Sequence, residues 1–433
     1  VTVFRCAAAV LDGEVVPDVD ISATDGIITA ISRGPGAAPV DEWLPGLVVP
    51  AFADAHSHVF HRGLRGRTHD EGGSFWTWRD RMYTLADRLD PDRLYELALA
   101  AYVEMVCAGV TAVGEFHYLH HGPGGAPYAD PNLMGLAVSE AGRAAGLQVT
   151  LLDVAYLAGG FGQPVGPSQR RFSDGTVQAW AERVGALPDS VRSGVAIHSV
   201  RAVPPTDLGA VAAAAGDRVV HVHLSEQPAE NDACLAATGR TPTGLLADAG
   251  VLSPRLAAVH ATHLTDADIA LLGAAGATAV ICPSTEADLA DGLPRAGDLA
   301  ASGVRLALGS DQHVQIDPIA QARGLEYGER LATGRRGHFA PSALLTAATA
   351  DSHAAIGSAA GRIGVGAPAD LVALDRSSVR TAGSLGLQLL LSASAADVRV
   401  VVTAGVVQAR DGVHVRWGDP GPLLARAIER AWA

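Results

Sequence analysis

Four short segments carry residue types that can act together on one bound metal ion. Asp54-Ala55-His56-Ser57-His58 places two imidazoles two residues apart, and on a strand such side chains share a face. His221-Val222-His223-Leu224-Ser225-Glu226 brings a third imidazole and a carboxylate, and His260 and Gly309-Ser310-Asp311 follow. A lone His-x-His pair is a weak signal, but chance does not readily put such residues at the ends of four separate apolar runs. His56, His58 and His223 supply nitrogen donors and Asp311 a carboxylate oxygen, a set suited to zinc and tolerable for iron or manganese. Glu226 and His260 are left over, as in a catalytic site and unlike a closed structural one. A metal in such a site lowers the pKa of bound water to about 7. Asp311 can then take the water proton, Glu226 can carry a proton to a leaving nitrogen, and His260 can hydrogen-bond the tetrahedral centre.

These residues need a frame that gathers strand ends. Apolar β-type runs recur at Leu47 to Ala55, Val110 to Phe116, Val149 to Tyr156, Val195 to Val200, Val219 to Leu224, Leu256 to His260, Ala277 to Cys282 and Arg305 to Ser310. Between them lie Ala- and Leu-rich segments of helical period, such as Pro91 to Cys107 and Asp266 to Ala275, the latter capped by Thr265 with Asp268 three residues on. Eight alternating units predict an α/β fold, a (β/α)8 TIM-type barrel, with the active site at the C-terminal strand ends. An open doubly wound sheet is the competitor, and the absence of a GxGxxG turn counts against it.

Both chain ends read as β-rich. Val15 to Ile21 and Ile27 to Ile31 flank Asp25-Gly26, and Asp370 to Leu374, Val398 to Thr403 and Gly405 to Ala409 precede Asp411-Gly412. We therefore expect residues 1–46 and 366–433 to form one small composite β domain, and residues 47–365 a metal-dependent hydrolase barrel.

All 32 basic residues among the 433 are Arg, and lysine is absent. That excludes a Schiff-base lysine, a pyridoxal-phosphate anchor, a P-loop lysine and any metal pair bridged by a carboxylated lysine. A GC-rich genome accounts for the bias, and only Asn132 and Asn231 represent their type. With 48% hydrophobic residues the chain can bury a large core, and a net charge of −14 argues against nucleic acid or an anionic membrane as partner. Cys6, Cys107, Cys234 and Cys282 show no CxxC spacing, so reduced thiols are expected. No signal peptide and no run of 18 apolar residues is read, which gives the expectation of a soluble cytoplasmic protein.

Other histidines have plainer readings. His221 shares a face with His223 but lies deeper, as a hydrogen-bonded core residue. His263 falls at a helix start, and His117, His120 and His121 follow the second barrel strand, where loop packing competes with substrate contact. His338, His353 and His414 lie away from strand ends and receive no role.

The run Pro50-Ala51-Phe52-Ala53-Asp54-Ala55-His56-Ser57-His58, with His223, His260 and Asp311, resembles the amidohydrolase superfamily. Ala369-Asp370-Leu371-Val372 is similar to that superfamily's return strand. Several further motifs resemble its formimidoylglutamate deiminase family: Ser74-Phe75-Trp76-Thr77-Trp78-Arg79, Glu115-Phe116-His117-Tyr118-Leu119-His120-His121, Gln169-Arg170-Arg171-Phe172, His198-Ser199-Val200-Arg201-Ala202-Val203, His223-Leu224-Ser225-Glu226-Gln227 and Cys282-Pro283-Ser284-Thr285-Glu286. The resemblance spans nearly the whole chain. It implies one zinc on His56, His58, His223 and Asp311, with Glu226 and His260 handling protons. It further implies Arg79, Tyr118, His198 and Arg201 around a glutamate moiety, and a homodimer. The implied reaction is zinc-dependent hydrolysis of N-formimidoyl-L-glutamate to N-formyl-L-glutamate and ammonia, in histidine degradation. Arginine pairs suit such a dicarboxylate, since guanidinium groups bind carboxylates bidentately. Two-metal members of the superfamily bridge their ions with a carboxylated lysine, so the missing lysine argues for a single metal.

Three positions depart from the family pattern. His61 stands where a substrate-contacting Gln is expected, Gln312 where Ser is usual, and Asp288 in place of Asn. A carboxylate near an anionic substrate is unfavourable unless it points away or pairs with an Arg. Two rival readings follow: a related deaminase of a nucleobase or of another amidine or guanidino acid, and a non-catalytic barrel scaffold.

Overall fold

The computed structural model describes residues 1–34, 39–69 and 75–433. Nine strands from the two ends of the chain make one sheet. Four come from the N-terminal side, β1 (Thr2–Leu11), β2 (Glu14–Thr24), β3 (Ile27–Arg33) and β4 (Glu42–Leu44), and are followed by β5 (Leu47–Pro50). Eight parallel strands then form the barrel: β6 (Phe52–Ser57), β7 (Val110–His117), β8 (Gln148–Ala155), β9 (Ser193–Ile197), β10 (Val220–Leu224), β11 (Leu256–His260), β12 (Thr278–Ile281) and β13 (Arg305–Leu308). The chain returns to the first sheet through β14 (Leu371–Leu374), β15 (Val398–Thr403), β16 (Val406–Arg410) and β17 (Val413–His414).

The barrel strands pair in sequence order, as right-handed βα units require. Closure between β13 and β6 is made by few contacts. Asp311 N–H donates to His56 O at 2.9 Å, and His58 N–H to Asp311 O at 3.0 Å. The residues that close the barrel are thus expected metal ligands, so backbone hydrogen bonds fix their register. Gly309 permits this approach, because a Cβ there would stand 2.8 Å from His56 O and 2.9 Å from Cys282 Sγ. Small side chains fill part of the interior, where Ala53, Ala55, Ala112, Ala257 and Ala307 are buried with Val259 and Val280.

One expected strand is divided. Leu47 to Ala55 looks continuous in the sequence, yet β5 pairs with β14 and β1 in the terminal sheet, and the barrel begins at Phe52. Both halves are apolar because both are buried, so composition carries no mark of the break at Ala51. Gly46 lets the chain enter this seam, with φ of +72° and room for no Cβ beside Leu374 O. Four two-residue hairpin turns place positive φ on both residues: Asp25-Gly26 and Asp411-Gly412 as expected, and also Ala404-Gly405 and Asp12-Gly13. That last turn joins β1 and β2, the former a long strand that the sequence reading did not delimit.

The helix expected over Pro91 to Cys107 is present, the one expected over Asp266 to Ala275 spans Asp266–Ala274, and Thr265 and Asp268 cap each other reciprocally. The C-terminal tail ends in a helix rather than a further strand. Pro420–Trp432 packs against Pro91–Cys107, and Trp432 Nε1 donates to Gly63 O at 2.9 Å. Turn signals and β-branched residues stop at Asp419, and Leu424, Ala427 and Ala431 then bury one helical face. All four cysteines are buried free thiols. Among the described residues, no helix is long and apolar enough to cross a membrane.

Candidate metal centre and active-site cleft

Strand β6 delivers His56, His58 follows its last residue, β10 delivers His223, and the turn after β13 delivers Asp311. The three imidazole Nε2 atoms form a triangle: His56 to His58 3.2 Å, His58 to His223 3.3 Å, and His223 to His56 3.1 Å. Asp311 Oδ1 stands 3.3 Å from His56 Nε2 and 3.2 Å from His58 Nε2. All four donor atoms lie within 4.8 Å of one another, close enough to share one ion. Burial lowers the pKa of all three imidazoles, that of His56 to about 3. They are therefore neutral, the form that ligates. Burial alone would raise Asp311, but the neighbouring imidazoles hold it ionised. Donor type, spacing and protonation all fit one divalent ion.

The second layer orients these donors. His58 Nδ1 lies 3.0 Å from Phe116 O, which as an acceptor fixes the proton there and turns the Nε2 lone pair to the centre. Glu115 grips both neighbours of His58, accepting from Ser57 Oγ at 2.7 Å and from Val59 N at 2.8 Å. Tyr102 OH adds a bond at 3.2 Å, and His313 Nε2 lies 2.7 Å from Ser57 Oγ. Burial pushes the Glu115 carboxyl up to about 8 against these donors. Left-handed backbone gathers at the same rim, with φ of 51° at Ser225, 68° at His260, 47° at Asp311 and 57° at His313. Non-glycine residues adopt such angles at a cost, and the cluster marks where structure over-determines the backbone.

Beside the metal donors, His260 is ringed by carboxylates. Its Nε2 lies 3.8 Å from Glu226 Oε1 and 3.8 Å from Asp311 Oδ2, while its Nδ1 lies 3.5 Å from Glu286 Oε1. Burial would strip its proton, but Glu226, Glu286 and Asp311 outweigh that and raise it to about 10. Burial likewise raises Glu226, opposed by His260 and Arg201.

A cleft of about 650 Å³, opening to solvent, rises from this floor. Every sequence-predicted residue except His56 lines it: His61, Arg79, Tyr118, His198 and Arg201 stand there with Glu226 and His260, over the donors His58, His223 and Asp311. His61 Nε2 lies 2.8 Å from Tyr118 OH, Arg79 stands over the Tyr83 ring at 5.7 Å, and Arg201 Nε is 3.6 Å from Glu230 Oε1. Aromatic walls come from Trp78, Tyr83, Tyr156 and Phe172. Ser74, the first residue of one quoted motif, lies outside the described residues.

The departures resolve structurally. Asp288 does not line the cleft; its Oδ2 accepts from Gln312 Nε2 at 2.7 Å and its Oδ1 lies 2.7 Å from His69 Nε2. The added carboxylate thus points away, held by an amide and an imidazole rather than by an Arg.

The plainer histidine readings have physical counterparts. His221 Nε2 bonds Ala355 O at 2.9 Å in the core, His120 bonds Val154 O at 2.9 Å, and His121 pairs with Asp174 at 3.0 Å. His263 bonds Asp291 O at 2.7 Å, and His414 bonds Ala145 O at 3.0 Å. Sequence reasoning missed Glu115, Glu230, Glu286 and His313 as partners of the site. Glu115 and Glu286 sit inside quoted motifs, so the signal was present; Glu230 and His313 had none beyond falling shortly after strand ends.

The amidohydrolase family model matches residues 47–409. The chain is 39% identical to formimidoylglutamate deiminase of Pseudomonas aeruginosa, with 91% of each chain covered. It is 31% identical to 8-oxoguanine deaminase of the same organism, covering 88% of this chain and 86% of that one. An amidohydrolase from Brucella melitensis has the same architecture, with a TM-score of 0.91, 33% identity and full coverage of both chains.

Proposed function

The chain belongs to the amidohydrolase family and is a hydrolytic enzyme acting on C–N bonds, and on that premise we propose that it deiminates N-formimidoyl-L-glutamate, yielding N-formyl-L-glutamate and ammonia as a step of histidine degradation. The observation that carries this reading is the meeting of Arg79 and Arg201 in one cleft above a His3Asp donor set. Two guanidinium groups suit the two carboxylates of the glutamate part, and the donor set in the same cleft suits hydrolysis of an amidine at its other end.

In this reading His56, His58, His223 and Asp311 hold a zinc ion, whose Lewis acidity polarises the amidine and activates water near neutral pH. Asp311 accepts the proton of the attacking water. His260 Nε2–H donates to the oxygen added to the carbon as that carbon becomes tetrahedral. Glu226 delivers a proton to the departing nitrogen and takes back the proton of the added hydroxyl as the C–N bond breaks, so that ammonia leaves and a formamide C=O remains. Arg79, Arg201, His61, Tyr118 and His198 orient the substrate. A cytoplasmic homodimer, with a terminal β domain beside the catalytic barrel, completes the proposal.

Aromatic cleft walls and the 8-oxoguanine deaminase relative favour a second reading, a deaminase of nucleobases. One screen separates the two. Zinc-loaded enzyme is offered formimidoylglutamate, guanidino acids and nucleobases, with ammonia detected. Turnover of formimidoylglutamate above a metal-free control supports the first reading; ammonia from nucleobases alone replaces it with the second.

A further inference from the structure

Glu286 is a buried carboxylate that the reaction scheme leaves without a task. It is 3% exposed, and it adds negative charge to a rim already holding Glu226 and Asp311. Burying a carboxylate among others is costly unless a cation or several donors meet it. Glu286 has one such donor and, beside it, the buried His260 Nδ1, which makes no hydrogen bond elsewhere among the described residues. Its Oε1 accepts from Cys282 N–H at 2.9 Å, which anchors the side chain to the end of β12, and the same oxygen lies 3.5 Å from His260 Nδ1. The opposite nitrogen of that ring, Nε2, lies between Glu226 and Asp311 at 3.8 Å from each.

We propose that Glu286 is the positioning residue for His260, accepting its Nδ1–H and so holding the ring with Nε2 turned to the reacting atoms. The proposal rests on the deiminase reading for its kinetic consequence, though not for the contact itself. An imidazole with one anchored nitrogen loses little orientational freedom when the other hydrogen-bonds a forming tetrahedral centre. His260 sits at positive φ, at the last residue of β11, so the backbone fixes where the ring starts but leaves its rotation to be set by a partner. Glu286 supplies that partner from the neighbouring strand end. Its carboxylate does not line the cleft, and it acts only through His260.

The test uses the zinc-loaded full chain and two readouts. In Glu286→Ala, kcat on formimidoylglutamate is expected to fall about a hundredfold, the scale of one misplaced acid–base group. KM should stay within about twofold and bound zinc should remain at one per chain. Glu286→Gln keeps an acceptor in place and should recover kcat to within about tenfold of the parent. Independently of turnover, the low-field Nδ1–H proton resonance of His260, assigned by its loss in His260→Asn, should be present in the parent and in Glu286→Gln and absent in Glu286→Ala. If Glu286→Ala does not fold, Glu286→Asp withdraws the acceptor by one methylene and should lose the resonance equally. The proposal is overturned if the resonance survives removal of the acceptor, or if kcat stays within about threefold. A parent enzyme that releases no ammonia from formimidoylglutamate removes the substrate reading alone, and the resonance then decides for or against Glu286.

Discussion

Gln312 donates its side-chain amide to Asp288 at 2.7 Å, so two of the three positions that depart from the deiminase pattern are hydrogen-bonded to each other. Gln312 follows the metal donor Asp311, and Asp288 precedes Leu289, which lines the cleft. The amide holds the carboxylate at the rim instead of leaving it to face an anionic substrate.

The first prediction follows from this bond. Gln312→Ser frees Asp288 Oδ2 and is expected to raise KM for a dicarboxylate about fivefold, which corresponds to a coupling of about 1 kcal/mol. Adding Asp288→Asn should return KM to the parent value. A double-mutant cycle in steady-state kinetics measures the coupling, and strictly additive effects would sink the idea.

The strand-end donors were legible because period-2 alternation puts His56 and His58 on one face whatever the fold around them. The barrel was legible because eight apolar runs alternate with helical segments. What stayed hidden depends on three-dimensional neighbours. Nothing local distinguishes β5 from β6, since both are fully buried. Glu115, Glu286 and His313 act across strands, and only their burial and contacts reveal them. The chain's departure at Asp288 looked unfavourable in sequence because its partner Gln312 lies 24 residues away.

A second prediction concerns metal affinity. Glu115 holds Ser57 and Val59, the residues flanking His58. Loss of an outer partner weakens metal binding by about 10- to 100-fold. Glu115→Ala should accordingly lose zinc to a chelator at about tenfold lower concentration than the parent, before any assay of turnover. Removing the metal from the parent should abolish activity, with recovery on adding zinc. Unchanged chelator competition in Glu115→Ala would show that the grip on Ser57 and Val59 is irrelevant to the metal.

Substrate charge gives a third prediction. Arg201 is paired with the buried Glu230 at 3.6 Å and also faces the cleft. Arg201→Gln should raise KM for dicarboxylate substrates by at least about tenfold, the scale of a lost charge-assisted hydrogen bond, while neutral amidines are unaffected. It also strands Glu230, so Arg201→Gln with Glu230→Gln is the better-folded background for the comparison. Equal losses on charged and neutral substrates would remove Arg201 from carboxylate recognition.

The last prediction ties acid stability to the loops that carry the cleft's aromatic wall. Arg183 is buried and donates to Asp153 at 2.7 and 2.8 Å and to Asp174 at 2.9 and 3.0 Å. His121 joins Asp174 at 3.0 Å, and Trp180 Nε1 donates to Asp153 at 3.0 Å. This cluster fastens the segments that follow Tyr118 and Phe172. Burial would raise both carboxyls, but Arg183 and the histidines leave Asp153 and Asp174 below their ordinary values. The unfolded chain therefore takes up protons first as pH falls. The stabilisation is complete above the ordinary carboxylate pKa of about 4 and drains away as pH drops below it. The share of urea stability that this cluster carries, read as the difference between the parent and Asp174→Asn, should be flat from pH 7 to 5 and then decline toward pH 3. Asp174→Asn should be less stable at pH 7, because it leaves part of a buried guanidinium unpaired, yet show a shallower decline below pH 5. A variant with the parent's slope would mean that other carboxyls carry the acid lability, since a residue that no longer titrates cannot contribute to proton uptake on unfolding.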